Sequence, residues 1–167
     1  MNIKKLTALA LFTALAMIIF SVESAIPPIL PIPGIKLGLA NIITLVLLQN
    51  YTPRETLLVL LMRIFLSSFL FGQAMSLMYS LAGGLMCFAA MLALNRLLKG
   101  HYIYLTGILG GIFHNLGQLS IAFLITRTPG VLAYLPFLMI SGILTGLFTG
   151  LCAHFLQKYL MPLIRKQ

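Results

Sequence analysis

Polar side chains are rare in this chain and stand inside otherwise apolar stretches. Arg63 lies in such a stretch, and Thr56 and Ser67 would share its face if the stretch is a helix. A charged side chain near the bilayer centre costs roughly 2.5 to 3.5 kcal/mol on insertion scales. We therefore expect Arg63 to face a bundle interior or a wet cavity and to offer positive charge to a ligand. Bonding to backbone carbonyls or a lipid phosphate is the alternative.

A second polar face is predicted for residues 102–126. Glycines and polar residues recur there every three or four positions, which places them on one side of a helix: Gly107, Gly110, Gly111, His114, Gly117 and Gln118. Glycines on such a face allow neighbouring helices to approach closely. His114 and Gln118 are expected to orient a ligand. For Asn115, ligand binding and an interhelical hydrogen bond are nearly equal expectations.

The stretch from Pro27 to Asn41 holds four of the eight prolines of the chain. Proline fixes φ and removes a backbone donor, so this stretch cannot be a regular helix, and irregular backbone at membrane depth must pack in protein or line a cavity. We expect it to form the rim and lid of a binding site, with Lys36 and Asn41 at its inner edge. A rigid turn that only connects two helices is the alternative. Tyr79 is expected near the outer end of its helix, in an interfacial aromatic belt or as a stacking surface for a ligand.

Acidic residues are almost absent, which limits the chemistry. The chain has no aspartate, and its two glutamates are Glu23 and Glu55. Thr52, Pro53 and Glu55 form a capping box that starts a helix at Pro53. Magnesium-dependent diphosphate chemistry needs several carboxylate oxygens, and no nucleophile elbow or phosphate-binding loop occurs. We expect no enzyme, no metal site and no cofactor.

Composition indicates an integral membrane protein. The chain is 60% hydrophobic and 8% charged, with a mean hydropathy of +1.07, whereas soluble domains carry about 25% charged residues. The length allows six spans of about 20 residues and little else. We predict an all-α membrane protein, a single domain over residues 1–167, with six transmembrane helices at about 6–22, 35–49, 53–71, 74–98, 102–126 and 136–156.

The basic residues predict the orientation. With both termini in the cytoplasm, eight basic residues lie inside and two, Lys36 and Arg127, lie outside; the eight are Lys4, Lys5, Arg54, Arg96, Lys99, Lys158, Arg165 and Lys166. This bias also accounts for the +9 net charge without a nucleic-acid partner.

Small residues on the first predicted span form a flat surface. Ala10 and Ala14 lie one turn apart, and this face could pack within the bundle or dock another membrane subunit. Gly142, Gly146 and Gly150 on the sixth span form a seam typical of ordinary helix packing.

Three sequence segments resemble a bacterial family. Residues 33–41 read Pro-Gly-Ile-Lys-Leu-Gly-Leu-Ala-Asn, residues 114–118 read His-Asn-Leu-Gly-Gln, and residues 80–84 read Ser-Leu-Ala-Gly-Gly. The chain resembles the family labelled Gx transporter or heptaprenyl diphosphate synthase component I. Members of that family resemble the substrate-binding S components of energy-coupling factor transporters. That resemblance implies six helices in the bacterial cytoplasmic membrane and an alanine motif, here Ala10 and Ala14, that docks the membrane coupling subunit.

The resemblance implies a role in uptake. A vitamin-like, flavin-like or quinone- or isoprenoid-precursor solute, anionic or aromatic in character, would be captured from outside by Lys36, Asn41, Arg63, Tyr79, His114, Asn115 and Gln118. Separate ATPase subunits would supply the energy. A non-catalytic membrane partner of an isoprenoid synthase, such as heptaprenyl diphosphate synthase, or of a redox enzyme is the alternative.

Overall fold

A computed structural model describes residues 3–25, 36–71 and 74–162, and all regular secondary structure in these ranges is helical. The α-helices are α1 Ile3–Ser24, α2 Asn41–Asn50, α3 Pro53–Phe71, α4 Ala74–Leu97, α5 Ile103–Thr126 and α6 Leu135–Phe155. A 3₁₀-helix, Pro129–Tyr134, precedes α6, and a π-helical turn, Leu156–Leu160, follows it. The all-α prediction is confirmed. The prolines of the predicted lid, within residues 27–33, lie outside the described residues.

Among the described residues, four helical stretches are long and apolar enough to cross a membrane: Ile3–Ser24, Met75–Leu97, Ile103–Thr126 and Pro129–Tyr159. The 19-residue helix α3 is not among them and carries three charged residues, Arg54, Glu55 and Arg63. Helix α2 has only ten residues, which span about 15 Å, half of the hydrocarbon thickness. These helices indicate a multi-pass membrane protein.

Helices α5 and α6 meet through glycines. A Cβ atom at Gly107 would overlap the backbone oxygen of Gly146, and one at Gly111 would overlap the backbone oxygen of Gly142. Gly117 lies equally close to the backbone of α4. Without a hydrophobic force between helices in lipid, such close approach is a principal source of packing energy. The α4, α5 and α6 helices therefore form a tightly packed half of the bundle.

Helices α1 and α3 lie side by side and are joined at their first turns. The Nζ atom of Lys5 lies 2.6 Å from Oε1 of Glu55. The predicted capping box is present, because the Thr52 N–H donates to Glu55 Oε2 and the Glu55 N–H donates to Thr52 Oγ1. The buried side of α1 includes Phe12 and Phe20, both close to fully covered.

Helix α2 is buried on all sides, and its first eight residues, 41–48, are all in the interior. A helix that is apolar around its whole circumference belongs in a core. It begins at Asn41, whereas the predicted second span begins at 35. Residues 36–40 are non-helical, so an irregular stretch of backbone enters the bundle and leads into a buried helix.

Candidate functional site

The non-helical segment 36–40 is fastened to two helices by side chains. Its Gly38 and Leu39 N–H groups donate to the two carboxylate oxygens of Glu23, at 2.6 and 3.0 Å. The Lys36 N–H donates to Oε1 of Gln118 at 3.3 Å. Polar backbone inside a membrane bundle has to be satisfied by protein groups, and Glu23 of α1 and Gln118 of α5 satisfy it here.

Gly38 is the residue around which the segment packs. Its φ of 81° lies in the left-handed region, which glycine adopts without strain. A Cβ at this position would overlap the side chains of His114 and Asn41. A larger residue would therefore push the segment away from α5, and the close approach brings Asn41 and His114 together.

Glu23 is the centre of a group of charges. It is only 4% exposed although it lies near the end of α1. Two successive backbone N–H groups hold its carboxylate, an arrangement that binds anions in many proteins. Glu23 also attracts the positive charges of Lys36 and Arg63. Two cations and one carboxylate thus lie close together, with Glu23 and Arg63 buried and Lys36 half-buried.

The two cations lie on the ring of Phe20. Lys36 Nζ is 3.6 Å from the ring centroid, and Arg63 Cζ is 5.9 Å from it, distances at which cation–π attraction is favourable. Lys36 Nζ also donates to Ser24 Oγ at 2.6 Å. Burial lowers the pKa of Lys36 to about 8, with repulsion from Arg63 adding to the effect and Glu23 opposing it. Lys36 therefore releases its proton more readily than an ordinary lysine.

Arg63 has unused hydrogen-bonding capacity. The side chain is 4% exposed, and its Nη2 has no hydrogen-bond partner within the described parts of the chain. Its backbone oxygen accepts from Ser67 Oγ, one turn further along α3. A buried guanidinium with a free donor is costly, so an unfilled partner position is expected beside it.

A cleft lies between α1, α3 and α4, and its lining residue Ser67 is one helical turn from Arg63 along α3. It encloses about 200 Å³ of empty space, including the part open to the surroundings, and is lined by Phe20, Ile64, Ser67, Ser68, Ser76, Leu77 and Ser80. Ser76 is buried, and its Oγ has no hydrogen-bond partner in the ranges that the structure describes. Hydroxyl groups from two helices therefore line one small space beside the Phe20 ring.

His114 and Gln118 form a pair on α5. Their Nε2 atoms are 3.1 Å apart. Because Gln118 Oε1 accepts from Lys36 N–H, the amide nitrogen must be the donor to His114 Nε2. The imidazole is then neutral with its proton on Nδ1. That Nδ1 lies against the Gly83 backbone without a hydrogen bond of normal geometry among the described residues.

The remaining predicted site residues have different surroundings. Asn41 Oδ1 is buried without a partner within the described residues, whereas Asn115 Nδ2 donates to the Leu138 backbone oxygen at 2.7 Å and so links α5 to α6. Tyr79 is 2% exposed, so its ring lies inside the bundle and not in an interfacial belt. The structure brings Lys36, Asn41, Arg63, His114 and Gln118 together and directs Asn115 elsewhere.

Ala10 and Ala14 lie on the opposite side of α1 from this cluster. Both are exposed, as are Leu11 and Ile18 nearby, whereas Ala16 is buried. The flat surface predicted from the sequence is therefore on the outside of the described bundle, where another membrane helix could reach it.

Sequence reasoning missed Glu23, Phe20 and the serines of α4 as site residues. A signal for Glu23 was available, because Glu55 has a capping role and Glu23 is then the one acid left without an explanation inside an apolar span. Ser76 carried no such signal, and Ser80 stood out only as the first residue of the 80–84 segment of the family resemblance, because serines one turn apart are common in helix packing.

Comparison with known proteins gives one result. The family model described as heptaprenyl diphosphate synthase component I matches residues 12–156, which cover α2 to α6 and most of α1. No curated protein and no solved structure matches the chain. The match extends over most of the sequence and includes every residue of the buried cluster, and the chain therefore belongs to the heptaprenyl diphosphate synthase component I family.

Proposed function

We propose that this protein is the substrate-binding membrane component of a small-molecule uptake transporter, similar to the S components of energy-coupling factor transporters. The observation that carries the proposal is the buried polar cluster around segment 36–41. Arg63 and Asn41 keep unpartnered polar atoms there, within the described residues. Polar groups at membrane depth are costly, and substrate pathways are their usual location.

The site suits a solute that enters from outside. Segment 36–41 follows the proline-rich stretch, which we place at the outer face with both termini in the cytoplasm of a bacterium. Lys36 and Arg63 would attract the solute, and Gln118 and His114 would orient it. A vitamin-like, flavin-like, or quinone- or isoprenoid-precursor molecule has the mixed polar and apolar character that such a site binds.

The two glutamates argue for binding rather than catalysis. Glu55 caps α3 and pairs with Lys5, and Glu23 holds two backbone N–H groups. Neither is left as a ligand for a catalytic metal ion, and metal-assisted diphosphate chemistry needs several such oxygens. We therefore assign the chain a non-catalytic role.

Energy for uptake would come from other subunits. The sequence has no phosphate-binding loop of its own. The exposed Ala10 and Ala14 surface is the proposed docking face for a membrane coupling subunit, because small residues let a second helix approach closely. ATPase subunits would bind on the cytoplasmic side of that coupling subunit.

The family description favours a second candidate function. It presents the family as one component of a synthase, so this chain would be the membrane partner of an enzyme that makes isoprenoid diphosphates. In that role the buried cluster would be structural, and the partner would supply the metal-binding carboxylates.

Purification of the protein from its native membrane distinguishes the two candidates. We expect the tagged wild-type protein to co-purify with a coupling subunit and ATPase subunits, and to retain a small molecule identifiable by mass spectrometry. The double variant Ala10→Trp/Ala14→Trp should lose the subunits and keep the small molecule. Ile140→Trp, which places the same new side chain at an exposed site on α6, should keep both. Recovery of a soluble synthase without ATPase subunits would support the second candidate instead.

A further inference from the structure

The charges of the buried cluster do not balance. Lys36 and Arg63 contribute two positive charges and Glu23 one negative charge, while the hydrogen-bonding pattern of His114 makes its ring neutral. The only other acidic side chain in the sequence is Glu55, which lies 2.6 Å from Lys5 at the far end of α1. Residues 26–35 include no charged residue. No further acidic side chain can therefore neutralise the remaining positive charge.

The unpartnered donors lie on one side of this cluster. Arg63 Nη2 lies beside α4, near Gly84, with Ser80 one turn away on the same helix. Phe20, which contacts the guanidinium, also forms a wall of the serine-lined cleft. Ser76 Oγ adds a second buried donor without a partner among the described residues. The guanidinium of Arg63 thus lies about one helical turn from the serine-lined cleft, and no carboxylate is among the described residues that line the cleft.

We infer that the solute carries a single negative charge on an oxygen-containing head group, which binds at the unpartnered Nη2 of Arg63 and extends towards the cleft, where the Ser76 hydroxyl is a further donor. Lys36, on the same Phe20 ring as Arg63, adds positive charge nearby. This inference rests on the proposed solute-binding function. An uncompensated charge in a low-dielectric interior is strongly unfavourable, and one anion would neutralise it. Charge-assisted hydrogen bonds from a guanidinium to a carboxylate or phosphate oxygen are among the strongest in proteins.

The size of the cleft limits what enters it. The space accommodates about one water-sized group, so an oxygen atom of the head group fits and an aromatic ring does not. A diphosphate, with two or more negative charges, would reverse the sign of the cluster without a metal ion to offset it. The net charge of the cluster therefore favours a monoanion such as a carboxylate or a phosphate diester.

Lys36 provides a competing way to reach neutrality, because it can release its proton. The groups that face it are Glu23, Arg63, Ser24 and the Phe20 ring. A bound anion would hold the proton on Lys36, and loss of the proton would weaken anion binding. Binding should therefore be strongest below the pH at which Lys36 titrates.

The test uses the full chain in lipid nanodiscs with three probes of one shape: benzoate, benzamide and benzylamine. We expect benzoate to raise the thermal unfolding temperature at millimolar concentration at pH 7, and the neutral and cationic probes to have no effect. Arg63→Gln should abolish the benzoate shift, and Ser76→Ala, a milder change, should weaken benzoate binding by three- to tenfold. Arg127→Gln removes the same charge from an exposed turn and should leave the shift intact.

Several outcomes overturn the inference. Equal shifts with benzoate and benzamide, the absence of any shift, or a benzoate shift retained in both Arg63→Gln and Ser76→Ala would each exclude an anion site here. Its failure is separable from failure of the transport proposal. A neutral or cationic solute found with an intact ATPase complex refutes the charge assignment alone. Selective benzoate binding without coupling or ATPase subunits refutes the transport role alone.

Discussion

The α5–α6 contact and the cluster around Glu23 differ in whether their buried polar atoms have hydrogen-bond partners. Along α5–α6, glycines bring the backbones together, and the Asn115 side chain donates across the contact to Leu138. Around Glu23, by contrast, Arg63 Nη2 and Ser76 Oγ have no partner in the described ranges. Since buried polar groups in folded proteins are nearly always paired, the first region is explained by folding alone. The second region keeps unpartnered donors, which the proposed solute would use.

This contrast suggests how the two regions cooperate. His114 and Gln118 belong to α5, whose other side is fixed by the glycine contacts to α6. A tightly packed scaffold keeps binding side chains in place, which favours affinity because less ordering is needed when the ligand arrives. Segment 36–40 is attached to that scaffold through the Gln118 side chain and to α1 through the Glu23 side chain.

Glu23→Ala should give the largest effect of any single change in the cluster. It removes the acceptor for the Gly38 and Leu39 N–H groups and leaves two buried cations without their carboxylate. We expect a loss of about 3 kcal/mol or more in the free energy of unfolding, measured by denaturation in mixed micelles. Glu55→Ala, which removes the other acid from a more exposed ion pair, should cost about 1 kcal/mol. Similar losses for both variants would contradict a special role for Glu23.

Gly111→Leu tests the packed region. Its Cβ would overlap the Gly142 backbone oxygen, so the two helices must separate. Overpacking against backbone costs about 3 kcal/mol, and we expect poor recovery of monodisperse protein with a lowered unfolding temperature. Gly130→Ala would place its methyl group 3.7 Å from Thr128 Cγ2, an ordinary van der Waals contact, and should behave as wild type. A Gly111→Leu protein with wild-type stability would show that the α5–α6 contact is looser than described.

The sequence predicted the packed region better than the cluster. The all-α fold and the capping box at Thr52 followed from hydropathy and spacing, and the glycine seam followed from its four-residue period, because helix contacts are local and periodic. Glu23 could not be assigned this way. Its partners, Gly38 and Arg63, come from distant parts of the chain, and only the tertiary fold brings them together.

The position at which α2 begins was also not predictable from the sequence, because it depends on contacts between distant parts of the chain. Hydropathy alone extends the second span to residue 35, since residues 35–40 are mostly apolar. The helix begins at Asn41 because Gly38 adopts a positive φ and the backbone donors before it bond to Glu23 and Gln118. Side-chain acceptors thus take the place of the backbone carbonyls that would accept from these N–H groups in a helix. No local sequence pattern predicts this replacement.

The pH dependence of binding and of stability should have opposite signs at Lys36. Its folded pKa is about 8 and its ordinary value is 10.5, so between these values the unfolded chain holds a proton that the folded chain lacks. The contribution of Lys36 to the free energy of unfolding of the ligand-free protein therefore rises with pH between these two values. Benzoate affinity should instead fall as pH rises through about 8, by roughly tenfold if one charge contact is lost.

Titrations from pH 6.5 to 10 in the presence and absence of benzoate measure both trends. In the Lys36→Arg variant the arginine stays charged over this pH range. Position 36 should then contribute neither the rise in stability nor the fall in benzoate affinity. If benzoate affinity in the wild-type protein were flat across pH 8, Lys36 would not be a contact of the anion.

The smallest expected effect separates two neighbouring amides on α5. Asn115 donates to Leu138 on α6, so Asn115→Ala should lower the free energy of unfolding by about 1 kcal/mol, the usual size of an interhelical hydrogen bond in a membrane, and leave solute retention unchanged. Gln118 bonds instead to Lys36 and His114, so Gln118→Ala should release the solute. Thermal unfolding and mass spectrometry of the retained solute measure both quantities on the same preparations. If Asn115→Ala also loses the solute, Asn115 belongs to the binding cluster as well as to the packed region, because its amide would then contribute to both.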